Sequence, residues 1–127
     1  MLTEQFEPRF TDTDALGHIN NTRIPVWFEG ARMPVFRVFT PDLNVRAWKL
    51  MIARYDVEFH GELFYGIPVE IRTWVSRLGN SSFDVTQEVW QNGERRASGT
   101  TVLVHYDHQA KQSVPLSEEL RQQLEAL

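Results

Sequence analysis

The fold is decided by residues 22–39, which read TRIPVWFEGARMPVFRVF. Apolar side chains recur there at gaps of three and four: Ile24, Trp27, Phe28, Ala31, Val35, Val38 and Phe39. That spacing predicts a helix with one buried face, which begins behind the capping residues 20–22. Pro25 is tolerated in the first turn, whereas Pro34 lacks the N–H that a helix interior needs. We therefore predict a helix over about 22–33 with a bent continuation to about 39.

Four later segments alternate apolar and polar residues with a period of two, which predicts strands. They cover residues 51–59, 67–75, 83–89 and 95–106, and residues 4–10 form a further extended segment. The last strand is apolar on both faces at residues 102–104, which is typical of a central strand. Asn92-Gly93 is a hairpin signal, because both residues accept a positive φ. Ser117 is expected to cap a short terminal helix.

Consecutive strands joined by short turns favour a meander, and the long apolar helix must cover one face of it. The sequence therefore predicts a single α+β domain over residues 1–127. Its core is expected to be a curved antiparallel sheet wrapped around one long helix.

Composition narrows the classes of function. The net charge of −4 and the lack of a basic patch argue against nucleic acid as a partner. The absence of cysteine excludes disulfides and a Cys nucleophile, and His60, His105 and His108 lack metal-site spacing. The N-terminus has no signal-peptide pattern, and no stretch is long enough to span a membrane. We expect a cytoplasmic protein with no metal, cofactor or membrane partner.

A polar loop leads into the helix, and residues 9–21 read RFTDTDALGHINN. This stretch resembles the signature of the 4-hydroxybenzoyl-CoA thioesterase family of hotdog-fold proteins. Residues 27–32, 79–83 and 101–107 resemble the family's helix and later strands, so the likeness covers about 5–115. It implies a hotdog fold, acyl-CoA thioesterase activity, and a homodimer or homotetramer with sites at the subunit boundary. Ile24, Pro25 and Pro34 depart from the family pattern and bear on the shape of the pocket.

The resemblance assigns roles within this loop. Asp14 is implied to be the carboxylate that attacks the thioester or activates a water, and the backbone N–H at Asn21 is implied to polarise the carbonyl. Free N–H groups at a helix N-terminus suit an oxyanion. Asp14 as a mere turn residue is the alternative. His18 is expected to orient Asp14, to bind substrate or to bond a loop carbonyl, and Asp12 is expected to be structural.

Further substrate contacts are expected at Gly17, Asn20, Arg77, Ser81 and Ser82. Gly17 lets the backbone turn and a ligand approach closely. Asn20 is first of all a capping residue. The other three flank a turn that in hotdog thioesterases often lies near the CoA nucleotide, although serines in turns are commonly turn residues alone.

Two other functions stay open on the same fold. One is a non-catalytic protein that binds an acyl-CoA. The other is a dehydratase or hydratase, which would need a His and a helix carboxylate, here His18 and Glu29, as a pair. For Glu29 we predict instead an i,i+3 ion pair with Arg32. An apolar pocket is suggested by Phe36, Phe39, Trp48 and Phe59.

Overall fold

A computed structural model describes all residues, 1–127. The elements in chain order are β1 (Leu2–Phe6), α1 (Arg23–Ala31), α2 (Met33–Phe39), β2 (Leu50–Phe59), β3 (Val69–Leu78), β4 (Ser82–Gln91), β5 (Glu94–Asp107), β6 (Gln112–Ser113) and α3 (Glu118–Glu125). Two short 3-10 turns cover Phe10–Asp12 and Val45–Ala47. Every predicted helix and strand is confirmed, with shifts of a few residues at the ends.

The predicted break in the long helix is confirmed. α1 ends at Ala31 and α2 begins at Met33, directly before Pro34. Because proline has no N–H to donate, the backbone bonding pattern changes at this point, and Arg32 N donates to both Phe28 O and Glu29 O at 3.1 Å. The bend keeps the apolar faces of α1 and α2 on the same side, against the sheet.

The sheet is antiparallel, with strand order β1-β3-β4-β5-β2 and β6 paired to β5. The predicted four-strand meander is therefore wrong for β2, which pairs with β5 rather than with β3. β5 lies inside the sheet, as predicted, and pairs with β4 along one edge and with β2 along the other. The connection over residues 60–68 is long enough to carry the chain from that edge to β3, whose other edge is taken by β1.

The core lies between the helices and one face of the sheet. At one end α1 packs on β3, β4 and β5 through Ile24, Phe28, Ile71, Val89 and Ala97. At the other end α2 and α3 pack on β4 and β5, where Phe39 stacks on Phe83 with ring centroids 5.5 Å apart. The helices therefore fix the position of the loop that precedes α1.

The predicted ion pair between Glu29 and Arg32 is wrong. Arg32 follows the end of α1, turns into the interface with the sheet, and is only 4% exposed. Its Nη1 donates to Gln87 Oε1 and Thr101 Oγ1, both at 3.1 Å. Burial lowers the pKa of Arg32, and the charge of Glu29 opposes that shift. Arg32 therefore serves to join α1 to β4 and β5.

Local turn and cap signals are confirmed. Asn92 and Gly93 join β4 to β5 with φ values of 53° and 74°. The side chain of Ser117 accepts a hydrogen bond from Leu120 N at 3.2 Å and caps α3. None of the helices has the length and apolar character needed to cross a membrane.

β2 is an edge strand with one open side. It pairs with β5 only, and the apolar side chains of Met51, Ile52, Tyr55 and Phe59 are exposed along it. Open apolar edges expose unpaired backbone groups, and proteins usually cover them.

Candidate active site

The loop before α1 is closed at its base by backbone pairing. Thr13 and Ile19 form an antiparallel bridge, and Asp14 N donates to His18 O at 2.8 Å. Gly17 has a φ of +83°, which L side chains rarely adopt, so glycine is needed for this turn. The result is a short loop, residues 14–18, that projects from a fixed base.

The Asp14 carboxylate is held by one of its two oxygens. Oδ1 accepts hydrogen bonds from Leu16 N at 2.7 Å and from His18 N at 3.2 Å. Oδ2 has no hydrogen-bond partner within the chain. This arrangement fixes the orientation of the carboxylate and leaves one oxygen free to act on a ligand.

A free backbone N–H lies at the start of α1. Asn20 Oδ1 accepts from Thr22 N at 3.0 Å, and Asn20 O accepts from Arg23 N at 2.9 Å. Asn21 O accepts from Ile24 N at 3.3 Å, whereas Asn21 N donates to no group in the chain. Thr22 is the N-cap residue, but its side chain makes no capping bond, and Asn20 provides the side-chain acceptor instead.

Asp14, His18 and Asn21 line one cavity of about 460 Å³. The facing wall is the segment that leaves β2, from Phe59 to Leu63. The cavity thus combines a carboxylate, a helix N-terminus and apolar surface. Such a set is able to hold a polar reacting group next to an apolar substituent.

His18 acts on Asp14 through its backbone rather than its ring. Its Nε2 lies 3.3 Å from Glu62 Oε2, and its ring meets the Phe64 ring edge-on at 5.2 Å between centroids. Glu62 was missed by the sequence reasoning. It belongs to no motif, and its proximity to His18 results from the return of residues 60–68 beside the loop.

The remaining predicted site residues lie elsewhere. Gly17 and Asn20 shape the loop and do not line the cavity. Ser82 aligns with the beginning of β2 through β5, whereas the cavity lies beyond the end of β2, so Ser81 and Ser82 are about 25 Å away along the strands. Arg77 Nη2 donates to Ser82 Oγ at 3.1 Å and to Asp84 Oδ1 at 2.9 Å. The bond to Asp84 raises the pKa of Arg77.

A second, apolar groove of about 710 Å³ runs between the helices and the beginning of β2. Phe36 and Trp48, two of the four residues expected in an apolar pocket, line it, and Phe59 lines the Asp14 cavity. Glu29 lies in this groove and not in the Asp14 cavity, so His18 and Glu29 are not brought together. No three His, Asp or Glu side chains converge as metal ligands.

A family model described as the thioesterase-like superfamily matches residues 8–124. The chain belongs to that superfamily. Its predicted class, a hydrolase of thioester bonds, is confirmed by the same match. No curated protein matches the chain.

Solved structures of thioesterases share the fold of this superfamily member. A predicted thioesterase from Bacillus stearothermophilus is 37% identical with a TM-score of 0.94, over 98% of this chain and 93% of that one. A thioesterase from Thermus thermophilus, in complex with coenzyme A and zinc, is 31% identical with a TM-score of 0.85, over 98% and 91%. A gentisyl-coenzyme A thioesterase shares the fold at 21% identity and a TM-score of 0.81, over 97% and 99%. The predicted hotdog fold is confirmed.

Proposed function

We propose that the chain is an acyl-CoA thioesterase in which Asp14 and the Asn21 backbone N–H act on the thioester. The observation that carries this proposal is the unpaired Oδ2 of Asp14, in the same cavity as the unpaired N–H of Asn21. Thioester hydrolysis needs a base or nucleophile on one side of the carbonyl and a donor for its oxygen. Because both groups are unpaired, they are available for these functions.

The reaction begins with the thioester carbonyl oxygen at the Asn21 N–H. In one route Asp14 Oδ2 attacks the carbonyl carbon, the C–S bond breaks, and CoA leaves as a thiolate that takes a proton from water. Water then hydrolyses the acyl–aspartyl anhydride and regenerates Asp14. In the other route Asp14 takes a proton from a water that attacks the same carbon, and the proton passes to the leaving thiolate. After free acyl-CoA, which hydroxylamine itself attacks, has been removed, hydroxylamine releases an acyl hydroxamate from an accumulated acyl–enzyme in the first route only.

The leaving group is proposed to be CoA because a relative at 31% identity is a thioesterase solved with coenzyme A. We also propose substrate contacts at Gly17, Asn20, Arg77, Ser81 and Ser82. The last three lie too far from Asp14 of their own chain to meet the same thioester. For them to contact the same substrate, a second chain would have to bring them to the cavity.

A homodimer formed along β2 meets this requirement. In an antiparallel two-fold pairing of edge strands, the beginning of the partner's β2 lies beside the end of β2 in the first chain. The end of the partner's sheet that carries its Ser82 and Arg77 residues is thereby moved toward the Asp14 cavity. The exposed apolar residues along β2 support this contact, and the molecular mass in solution tests it.

The dehydratase alternative has less support. It needs a His and a carboxylate on one ligand, and Glu29 lies in the apolar groove while His18 pairs with Glu62. Against a binding protein without activity stands the free oxygen of Asp14, which shares one cavity with the free N–H of Asn21.

The test is thiol release from a panel of acyl-CoAs with short, medium, long and aromatic acyl groups, run beside an ultraviolet assay for enoyl-CoA hydration. We expect thiol release from at least one substrate and no hydration. Hydration without thiol release supports the dehydratase. Tight binding of an acyl-CoA with neither reaction supports the non-catalytic protein.

A further inference from the structure

Asp12 is a buried carboxylate outside the cavity that holds Asp14. It is only 3% exposed, and the cavity it lines is a different one, on the β1 side of α1. A buried charge is costly unless it is paired and hydrogen-bonded. The contacts of the Asp12 carboxylate therefore indicate its role.

Both carboxylate oxygens of Asp12 are used. Oδ1 accepts from Arg23 Nε at 2.9 Å, and Oδ2 accepts from Arg9 N at 2.8 Å. The backbone oxygen of Asp12 also accepts from Asn20 N at 2.8 Å. One residue thus holds the chain before the loop, the chain after the loop and the first residue of α1.

Along the chain, Asp14 and Asn21 both lie between residues that contact Asp12. Asp14 follows Asp12 by two residues, on the loop whose base is the Thr13–Ile19 bridge. Asn21 lies between Asn20 and Arg23, the two positions that bind Asp12. The contacts of Asp12 therefore link the chain segments that carry Asp14 and Asn21.

We propose that Asp12 and Arg23 are positioning residues, which fix the Asp14 loop relative to the start of α1. The inference rests on the proposed function. Neither residue lines the Asp14 cavity, so neither touches the reacting atoms. Reacting groups must be held to within a fraction of an ångström, and a displacement of about 1 Å costs on the order of 100-fold in rate.

If the Asp12–Arg23 pair only stabilised the fold, its loss would affect the enzyme differently. Such a pair lowers the melting temperature when it is broken, but the molecules that stay folded keep their turnover. A positioning pair lowers kcat at temperatures well below melting. It leaves KM nearly unchanged, because the substrate contacts remain.

The experiment compares Asp12→Asn, Arg23→Gln and the double variant, assayed for thiol release where each is fully folded by circular dichroism. We expect each single change to lower kcat by about 10- to 100-fold with KM within about threefold, and the double variant to be no worse than the singles. Arg23→Lys, which keeps the charge, should recover part of the loss.

Arg72→Gln is the matched control. Arg72 also donates from Nε to a carboxylate, that of Glu70, but on β3 and away from the loop. It should lower stability and leave kcat unchanged. If Asp12→Asn does not fold, Arg23→Gln tests the inference instead, since in that variant Asp12 keeps its hydrogen bond from Arg9 N.

The inference is overturned if the folded single variants keep kcat within twofold of wild type, or if neither folds. If the wild type hydrolyses acyl-CoA and Asp12→Asn is equally active, the inference is wrong but the proposed function stands. A wild type that hydrolyses no acyl-CoA contradicts the proposed function, and the inference with it.

Discussion

Gln87 is the centre of the polar contacts between α1 and the sheet. Its Nε2 donates to Phe28 O at 2.9 Å and to Thr73 Oγ1 at 3.1 Å, and its Oε1 accepts from Arg32. Gln87→Met keeps the volume but leaves the buried guanidinium with one acceptor fewer. We expect a loss of about 1–3 kcal/mol in the free energy of unfolding, measured with urea.

Gln123→Met serves as the control for this change, because Gln123 lies on α3 and bonds only to Glu119 at the surface. Its effect should stay within about 0.5 kcal/mol. If Gln87→Met costs no more than Gln123→Met, the buried contacts do not stabilise the helix on the sheet.

At the scale of residues, the sequence predicted groups that lie close along the chain. Asp14, His18 and Asn21 share one cavity, because they lie within eight consecutive residues and a single bridge closes the loop between them. Glu62 was missed, and the partner of Arg32 was predicted wrongly, because their contacts join segments that are distant in the chain. A usable signal existed for Gln87, which occupies an inward position of β4 in step with Phe83, Val85 and Val89.

At the scale of elements, the turn between β4 and β5 depends on a glycine. A Cβ at Gly93 meets no atom within 4 Å, but its φ of +74° disfavours an L side chain. Gly93→Ala should therefore lower the free energy of unfolding by about 1–2 kcal/mol, through backbone conformation alone.

Gly30 provides the matched comparison. A Cβ there also meets nothing within 4 Å, and Gly30 lies in α1 without a positive φ. Gly30→Ala should raise stability by about 0.5–1 kcal/mol, because alanine is the better helix former. Equal changes at both glycines in thermal or urea unfolding would show that φ does not decide the outcome.

The elements themselves follow from local signals, whereas the order of strands does not. Pro34, Asn92-Gly93 and Ser117 each act within a few residues, so the helix break, the hairpin and the last helix were predicted. The pairing of β2 with β5 is a choice between distant segments. Alternating apolar residues predict a strand but do not name its neighbour.

At the scale of the whole molecule, β2 is expected to join two chains. The wild type should run at twice the 14.8 kDa mass of the chain in light scattering. Tyr55 is 58% exposed on β2, and Tyr55→Lys places like charges near each other across the two-fold axis. This variant should dissociate at a higher protein concentration than wild type and lose activity as it does so.

Glu4→Lys tests the other edge of the sheet, on β1, and should leave both mass and activity unchanged. A wild type that is fully active as a monomer would contradict the shared site. The sequence alone does not predict the oligomeric state, since the apolar residues of β2 fit a core face and an interface equally well.

In the proposed mechanism the free oxygen of Asp14 acts on the thioester, and we would first measure kcat for thiol release by Asp14→Asn. Asp107→Asn is the matched control, because Asp107 Oδ1 likewise accepts two backbone bonds, from Gln109 N and Ala110 N, in a turn outside the Asp14 cavity. We expect kcat to fall by about 2–4 orders of magnitude in Asp14→Asn and to stay unchanged in Asp107→Asn. A folded Asp14→Asn that hydrolyses acyl-CoA at the wild-type rate would contradict the proposed mechanism.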